Sequence, residues 1–130
     1  MVKQLKDHLE NLWIINNEGV CYYHQKFDES VLEMNQVRFS GFISAILTFT
    51  QDVFKDQFKK LTLGGMDIFI QSFSAIFVVV SCKKGVNEKL LIKILHSIGK
   101  SFENQFSNVL KNEFISATMF DEFILPIVGS

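Results

Sequence analysis

The sequence predicts a single α+β domain, in which a five-stranded, mostly antiparallel sheet carries one helix on one face and two helices on the other. Three observations lead to this prediction. Two β-rich runs near the start flank an Asn/Gly turn, a helical segment follows, and three further β-rich runs precede a helical C-terminal part. The predicted element order is therefore β-β-α-β-β-β-α-α, and a length of 130 residues fits one domain, 1–130.

The first two strands are predicted to form a β-hairpin. The runs Leu12–Ile15 and Val20–His24 are rich in β-branched and aromatic residues, and Asn17 to Gly19 between them is typical of a tight turn. The preceding segment, Met1–Leu9, is polar, and we interpret it as a short lead containing at most one or two turns of helix.

The segment Gln36–Gln57 has a helical pattern with a wide apolar side. At about 100° per residue, five residues fall within about 80° of one another and form the predicted core stripe: Phe39, Ile43, Ile46, Thr50 and Val53. Flanking apolar residues widen this stripe to roughly half the helix, whereas a helix that packs only on a sheet needs about 100°. The excess predicts a protein-binding face, with these candidate residues: Phe42, Leu47, Phe49, Phe54, Phe58 and Leu61. The alternative is that both phenylalanine edges pack onto the sheet.

Three strands are predicted after this helix. The run Lys60–Leu63 alternates polar and apolar residues, a Gly-Gly turn follows it, and Met66–Gln71 forms the next strand. The last run, Ala75–Cys82, is apolar on both faces. That pattern is typical of a central strand covered on each side, and it agrees with helices on both faces of the sheet.

Two helices are predicted to end the chain. Asn87 is a credible N-cap for the first of them. The apolar stripe of that helix is Leu91, Leu95, Ile98, Phe102, Phe106 and Val109, and a break is expected near Lys111-Asn112. The last helix is expected to run from Glu113 or Ile115 to Leu125, to end near Pro126, and to have a core of Ile115, Met119, Phe123 and Ile127.

Composition and charge argue against one functional class, nucleic-acid binding. A formal net charge of −1 gives no concentrated basic surface for nucleic acid. The close basic pairs Lys59-Lys60 and Lys83-Lys84 are interpreted as solvated, with a weak membrane-surface role as the alternative. Arg38, the sole arginine, is interpreted as a surface residue, with a salt-bridge role toward a partner as the alternative.

No catalytic, cofactor-binding or metal site is predicted. The histidines His8, His24 and His96 share no metal-ligand spacing, and the Gly-Gly turn lacks the frame of a phosphate loop. Cys21 and Cys82 lie in apolar runs, so we expect buried, reduced thiols rather than a disulfide or a nucleophile. The sequence therefore does not predict an enzyme.

The sequence is expected to be that of a soluble, cytoplasmic protein. The segment Met1–Asn11 is charged and lacks the apolar region of a signal peptide. The charge-free run Ile68–Cys82 is shorter than the roughly 20 residues that a membrane-spanning helix requires.

The order of elements resembles that of the longin domain, in the longin/roadblock superfamily. The stretch Leu12–His24, with Asn17-Glu18-Gly19 at its centre, resembles the "strand, D/N-x-G, strand" opening of these proteins. The stretch Phe39–Ile46 resembles the start of their middle helix. The resemblance covers about Leu9 to Val128 and depends on topology more than on motifs. The sequence differs from the related roadblock family at two points. Roadblock proteins need a solid N-terminal helix, and they end in one helix rather than two.

The resemblance implies a stand-alone longin subunit, of a kind that archaea also have. Its implied function is non-catalytic protein binding in vesicle trafficking and small-GTPase regulation, through dimerisation or docking of a partner on the middle helix and the sheet edge. The expected partner is a small GTPase, another longin or roadblock subunit, or a second copy of the chain in a homodimer. Peripheral membrane association would come through the partner, and no cofactor is implied.

Three alternatives remain open from the sequence. Profilin-, PAS- and GAF-like folds share a meander with flanking helices, so the chain could be a small-molecule sensor or an actin-binding module. The sensor version predicts an interior cavity on a sheet face under one helix. The third alternative is a roadblock-type GTPase regulator.

Overall fold

The computed structural model describes residues 8–27, 36–54, 60–63, 65–110, 120 and 123. Within these ranges the strands are β1 (Leu9–Asn16), β2 (Cys21–Lys26), β3 (Lys60–Leu63), β4 (Met66–Ser72) and β5 (Ile76–Lys83). The helices are α1 (Gln36–Phe54), α2 (Glu88–Gln105) and the short α3 (Ser107–Leu110).

The five strands form one antiparallel sheet in the order β2-β1-β5-β4-β3. The strand β5 lies at the centre, as its two-sided hydrophobicity predicts. Ile76 and Val78 point to one core and Val79 to the other, and all three are buried. The predicted α+β class with a five-stranded antiparallel sheet is confirmed.

The opening hairpin turns where the sequence predicts. The Asn16 side chain accepts hydrogen bonds from the backbone N–H groups of Glu18 (2.9 Å) and Val20 (2.8 Å), and Gly19 has a φ of 89°, which favours glycine. The strand β1 begins earlier than predicted, since Leu9 already pairs with Cys82 of β5. The prediction of a lead through Leu9 was therefore wrong at that residue, and residues 1–7 lie outside the described part.

Two hydrophobic cores lie on opposite faces of the sheet. On one face α1 covers a small cluster, and on the other α2 covers a larger one that includes Phe120 and Phe123. The buried members of the α1 core are Trp13, Ile15, Ile43, Leu47, Ile68, Ile70 and Val79.

The α2 helix follows its predicted pattern. The Asn87 side chain accepts a hydrogen bond from the Leu90 backbone N–H at 3.1 Å, which makes Asn87 the N-cap. The predicted stripe residues Leu91, Leu95, Ile98 and Phe102 are buried, while Phe106 and Val109 are half-buried.

The helix ends earlier than predicted. Phe106 leaves the helical conformation, with φ −122° and ψ 25°, so α2 ends before the predicted break at Lys111-Asn112, which lies outside the described residues. The ring of Phe106 lies 5.1 Å from that of Phe120, in a cluster of four phenylalanines that also contains Phe102 and Phe123. We attribute the early break to this packing. Apart from Phe120 and Phe123, the predicted last helix lies outside the described residues.

Candidate protein-interaction surface

The helix α1 packs on the sheet with a different side from the one that its apolar pattern predicts. Within the described side chains of α1, the buried ones are Ser40, Ile43 and Leu47, while Phe39 and Ile46 are half-buried. At about 100° per residue, the helix is rotated by roughly 70° from the orientation that would bury the predicted stripe. The rotation buries a serine and turns two phenylalanines outward.

The hairpin turn explains this rotation. The Ser44 hydroxyl donates a hydrogen bond to the Asn17 carbonyl at 3.3 Å, so the turn lies directly against α1. A Cβ at Gly19 would come within 3.2 Å of the Ser44 Cβ and 3.4 Å of the Gly41 Cα. The small residues at 19 and 44 permit this close approach, and the neighbouring side of the helix, with Ser40, is the buried one.

An aromatic stack fixes the other flank of α1. The Phe39 ring lies 4.0 Å from the ring of Trp13, which is fully buried on β1, and Trp13 in turn stacks on His24 at 5.5 Å. His24 also shares a 2.9 Å hydrogen bond with Asn11. The helix is thus held by the turn on one side and by this stack on the other.

The rotation leaves an apolar ridge on the outer side of α1. Phe42 is 44% exposed, Phe49 is 61% exposed, Ala45 is exposed and Ile46 is half-buried. Their spacing of three, four and seven residues from Phe42 places them along one side of the helix, within an arc of about 100°. We call these four residues the α1 ridge.

The predicted interface residues have different locations. Phe42 and Phe49 are exposed, as binding would require, and their role in binding stays a prediction. Leu47 is 3% exposed and belongs to the α1 core, so its assignment to an open surface was wrong. The side chain of Phe54 and all of Phe58 lie outside the described part of the chain.

Leu61 is half-buried on the edge strand β3 and packs against the α1 core. The strand offers a short edge, because it has four residues. Lys60 forms an ion pair with Glu88 at 3.3 Å, and the Thr62 hydroxyl donates to Asp67 at 2.7 Å. A lysine on a short edge strand is typical of edges that avoid indiscriminate pairing. The ridge is therefore the more open surface.

Sequence reasoning did not identify two ridge members. Ile46 was placed in the core stripe and Ala45 was not considered, because hydrophobic periodicity alone does not reveal that Ser40 is the buried residue. The available signal was the pair of small residues Ser40 and Ser44, which favours close backbone approach on that side of the helix.

The titratable groups do not assemble into a reactive site within the described ranges. Cys82 packs in the α2 core and Cys21 borders the α1 core, so the two thiols face opposite sides of the sheet. Burial, followed by the nearby carboxylate of Asp67, raises the pKa of the Cys82 thiol to about 12. Burial also raises the pKa of Cys21, against the opposing effect of its hydrogen bonds. Both thiols are therefore protonated near neutral pH.

His24 was expected at a strand end and instead lies within β2. His96 lies on α2, 5.8 Å from the Phe73 ring. No group of three potential metal ligands occurs among the residues that the structure describes. Within the same residues, no helix combines the length and the apolar character needed to cross a bilayer.

Two clefts occur along α2, and both are open to solvent. One, of about 210 Å³, is lined by Ser74, Ala75, Glu103, Ser107 and Leu110. The other, of about 550 Å³, is lined by Ser97, Lys100, Ser101, Asn104 and Gln105. Neither cleft is the enclosed apolar cavity between helix and sheet that the sensor hypothesis predicts.

Comparison with known proteins identifies the fold. No protein-family model and no curated protein matches the sequence. The structure is similar to the Roadblock/LC7 domain from Streptomyces avermitilis, with a TM-score of 0.64, 10% identity, and coverage of 81% of this chain and 93% of that one. It is similar to MglB of Myxococcus xanthus, with a TM-score of 0.61, 7% identity and 87% coverage of both chains.

A third similar structure is a chain in a homology model of the full-length AP-3 complex in a stretched open conformation. Its TM-score is 0.61 at 6% identity, with coverage of 86% of this chain and 71% of that one. The two features expected to distinguish longin from roadblock proteins fall in residues 1–7 and 106–130, of which the structure describes only 106–110, 120 and 123. The chain has the fold of the longin/roadblock type.

Proposed function

We propose that this protein is a non-catalytic protein-interaction module of the cytoplasm, and that its α1 ridge binds a second copy of the chain or another protein. The observation that carries the proposal is the exposure of Phe42 (44%) and Phe49 (61%) on a helix whose inner side is already packed. Contiguous exposed apolar surface on a globular protein usually marks an interface. Large aromatic side chains are also enriched among the residues that contribute most to binding.

The sequence of the ridge favours pairing with itself. The pattern Phe42-x-x-Ala45-Ile46-x-x-Phe49 reads nearly the same in both directions, with a phenylalanine at each end. A two-fold axis near Ala45 and Ile46 would place Phe42 of one copy against Phe49 of the other, because an isologous interface uses the same patch twice. The small Ala45 at the centre would allow the helices to approach closely.

The charges at the ends of the ridge favour an antiparallel arrangement. Arg38 and Asp52 are both exposed and flank the ridge at opposite ends of the helix. In an antiparallel pair each Arg38 would approach the Asp52 of the other copy. In a parallel pair like charges would meet, which opposes association.

The resemblance to longin domains suggests a second kind of partner, a small GTPase or a second longin- or roadblock-type subunit. The similar structures include MglB with a tetrameric arrangement and a chain of the AP-3 complex, both of which are assemblies. Both kinds of partner would use the same exposed phenylalanines.

The test compares two aspartate substitutions at adjacent exposed positions of α1. Phe49→Asp places a charge on the ridge, and Thr48→Asp places the same charge on the opposite flank. If the ridge binds, we expect Phe49→Asp to weaken association by at least about 30-fold, which corresponds to about 2 kcal/mol. Thr48→Asp should associate like the wild type.

Self-association is measured by light scattering after size exclusion, and partner binding by pull-down with small GTPases in both nucleotide states. Loss of self-association in Phe49→Asp supports the dimer, and loss of GTPase capture supports the heterologous partner. A wild-type protein that stays monomeric and captures no GTPase, or a Phe49→Asp variant that associates normally, would contradict the proposal.

A further inference from the structure

The end of β5, the turn after it and the outer side of α2 together carry the strongest concentration of positive charge in the described chain. The segment from Lys83 to Lys100 contains five lysines and one glutamate, although the whole chain has a net charge of −1. The lysines are Lys83, Lys84, Lys89, Lys93 and Lys100, and all five are exposed. We call these five residues the α2 lysine face.

The geometry of the helix gathers three of these lysines into one line. At about 100° per residue, Lys89, Lys93 and Lys100 fall within about 40° of one another. They span about 16 Å along the axis at 1.5 Å per residue. Their side of the helix points away from the buried Leu91 and Ile98, so the lysines face solvent on the side of the molecule opposite α1.

Three of the five lysines have no acidic partner among the described residues. Glu88 is paired with Lys60 of β3 at 3.3 Å, and Glu103 contacts Lys100 at 3.9 Å. Lys84, Lys89 and Lys93 form no ion pair in the described part of the chain. A large apolar side chain, Ile92, lies on the border of the same face and is 49% exposed.

We propose that the α2 lysine face binds the surface of an anionic lipid bilayer. Clusters of basic residues on an amphipathic helix are typical of binding to anionic lipids, to which each lysine near the surface adds attraction. Three of the five lysines lie on α2, and two lie just before it. Peripheral binding combines this attraction with burial of apolar surface, and the exposed isoleucine beside the lysines supplies an apolar contact. Long lysine stems can lie along the headgroup region while their ammonium groups remain hydrated.

The amino-acid type favours a bilayer over nucleic acid or a specific acidic peptide. Lysine acts as a hydrated point charge without fixed geometry, which suits a fluid array of headgroups, whereas bidentate recognition of a defined phosphate or carboxylate favours arginine. The face contains no arginine, because the sole one in the chain, Arg38, lies on α1. The proposed bilayer contact and the α1 ridge are on opposite faces of the sheet, so the two could be used together.

The experiment compares two double variants with the same change in net charge. Lys89→Gln/Lys93→Gln removes two positive charges from the α2 lysine face, and Thr48→Glu/Gln51→Glu adds two negative charges to exposed positions of α1. Binding is measured at low ionic strength by co-sedimentation with phosphatidylcholine vesicles that contain about 30% phosphatidylserine, and with phosphatidylcholine alone. Circular dichroism verifies the fold of each variant.

We expect the wild type to bind the phosphatidylserine vesicles and not the neutral ones, and salt to weaken that binding. Each lysine removed should weaken it about fivefold, so Lys89→Gln/Lys93→Gln should lose about 25-fold. Thr48→Glu/Gln51→Glu and the charge-conserving Lys89→Arg/Lys93→Arg should bind like the wild type.

Three results would overturn the proposal. The first is a wild type that does not sediment with phosphatidylserine vesicles, which would leave an acidic protein as the candidate for this face. The second is equal binding to neutral vesicles. The third is an equal loss of vesicle binding in Lys89→Gln/Lys93→Gln and in Thr48→Glu/Gln51→Glu. That result would mean that the net charge, and not this face, sets the affinity.

Discussion

The two faces of the sheet carry helices of opposite character. On one face the apolar stripe of α2 coincides with its buried side, from Leu91 to Phe102, and the solvent side carries lysines. On the other face α1 buries Ser40 while Phe42 and Phe49 remain exposed. The pattern of α2 is that of a helix whose apolar residues serve the fold, whereas the pattern of α1 contains more apolar surface than its own sheet covers.

The physical cause of the difference is the contact that orients each helix. The helix α2 is oriented by burial of large side chains, which is worth about 25 cal/mol per Å² of apolar area, so its pattern predicts its orientation. The helix α1 is oriented in part by a backbone approach at Gly19 and Ser44, where small residues matter more than apolar ones. Phe42 and Phe49 then remain exposed on the outer side of the helix.

The largest expected difference in stability comes from the same substitution, phenylalanine to alanine, in both helices. Phe102→Ala in α2 removes a fully buried ring and should lower the free energy of unfolding by about 3–5 kcal/mol. Phe49→Ala in α1 should change it by less than about 0.5 kcal/mol, because the ring is 61% exposed. Urea denaturation at low protein concentration measures both without a contribution from association. A large loss in Phe49→Ala would mean that the ridge serves the fold.

Two glycine-to-alanine substitutions are expected to change stability in opposite directions in the two helices. A Cβ at Gly99 of α2 would overlap the Phe73 ring, whereas a Cβ at Gly41 of α1 would meet nothing within 4 Å. Overpacking costs about 1–3 kcal/mol and the higher helix propensity of alanine offsets about 1, so Gly99→Ala should destabilise by about 1 kcal/mol. Gly41→Ala should stabilise by up to about 1 kcal/mol. Thermal unfolding that moved both variants in the same direction would contradict the assigned environments.

The smallest effect concerns the start of α2. Asn87→Ala removes the side-chain acceptor of the Leu90 N–H and should cost about 1 kcal/mol, while Asn87→Gly should cost only a few tenths. Chemical denaturation of the two variants gives the comparison. Equal losses would indicate that the cap hydrogen bond does not stabilise the helix.

Much of the fold could be predicted because its determinants are local. The Asn/Gly turn, the two-sided run of β5 and the cap at Asn87 each depend on a few adjacent residues, and all three are found where the pattern places them. The end of α2 could not be predicted, since Phe106 leaves the helix to pack against Phe120, a residue distant in sequence. Element boundaries set by such contacts are not visible in periodicity.

The candidate surface could be predicted only in part for the same reason. The excess apolar width of α1 indicated an interface, and the exposure of Phe42 and Phe49 agrees with it. Which edge of the stripe would be exposed depended on the contact between the hairpin turn and α1, so Leu47 was assigned to the surface and Ile46 to the core.

The central claim is that the α1 ridge is a self-complementary binding surface, and a charge exchange across it tests that claim most directly. Sedimentation equilibrium is measured for Arg38→Asp, Asp52→Arg and the double variant. In an antiparallel pair each single variant brings like charges together and weakens the dimer, while the double variant restores opposite charges and recovers it. The predicted coupling between the two changes is about 1 kcal/mol or more. A wild type that is monomeric throughout, or a double variant whose loss equals the combined losses of the single variants, would contradict the claim.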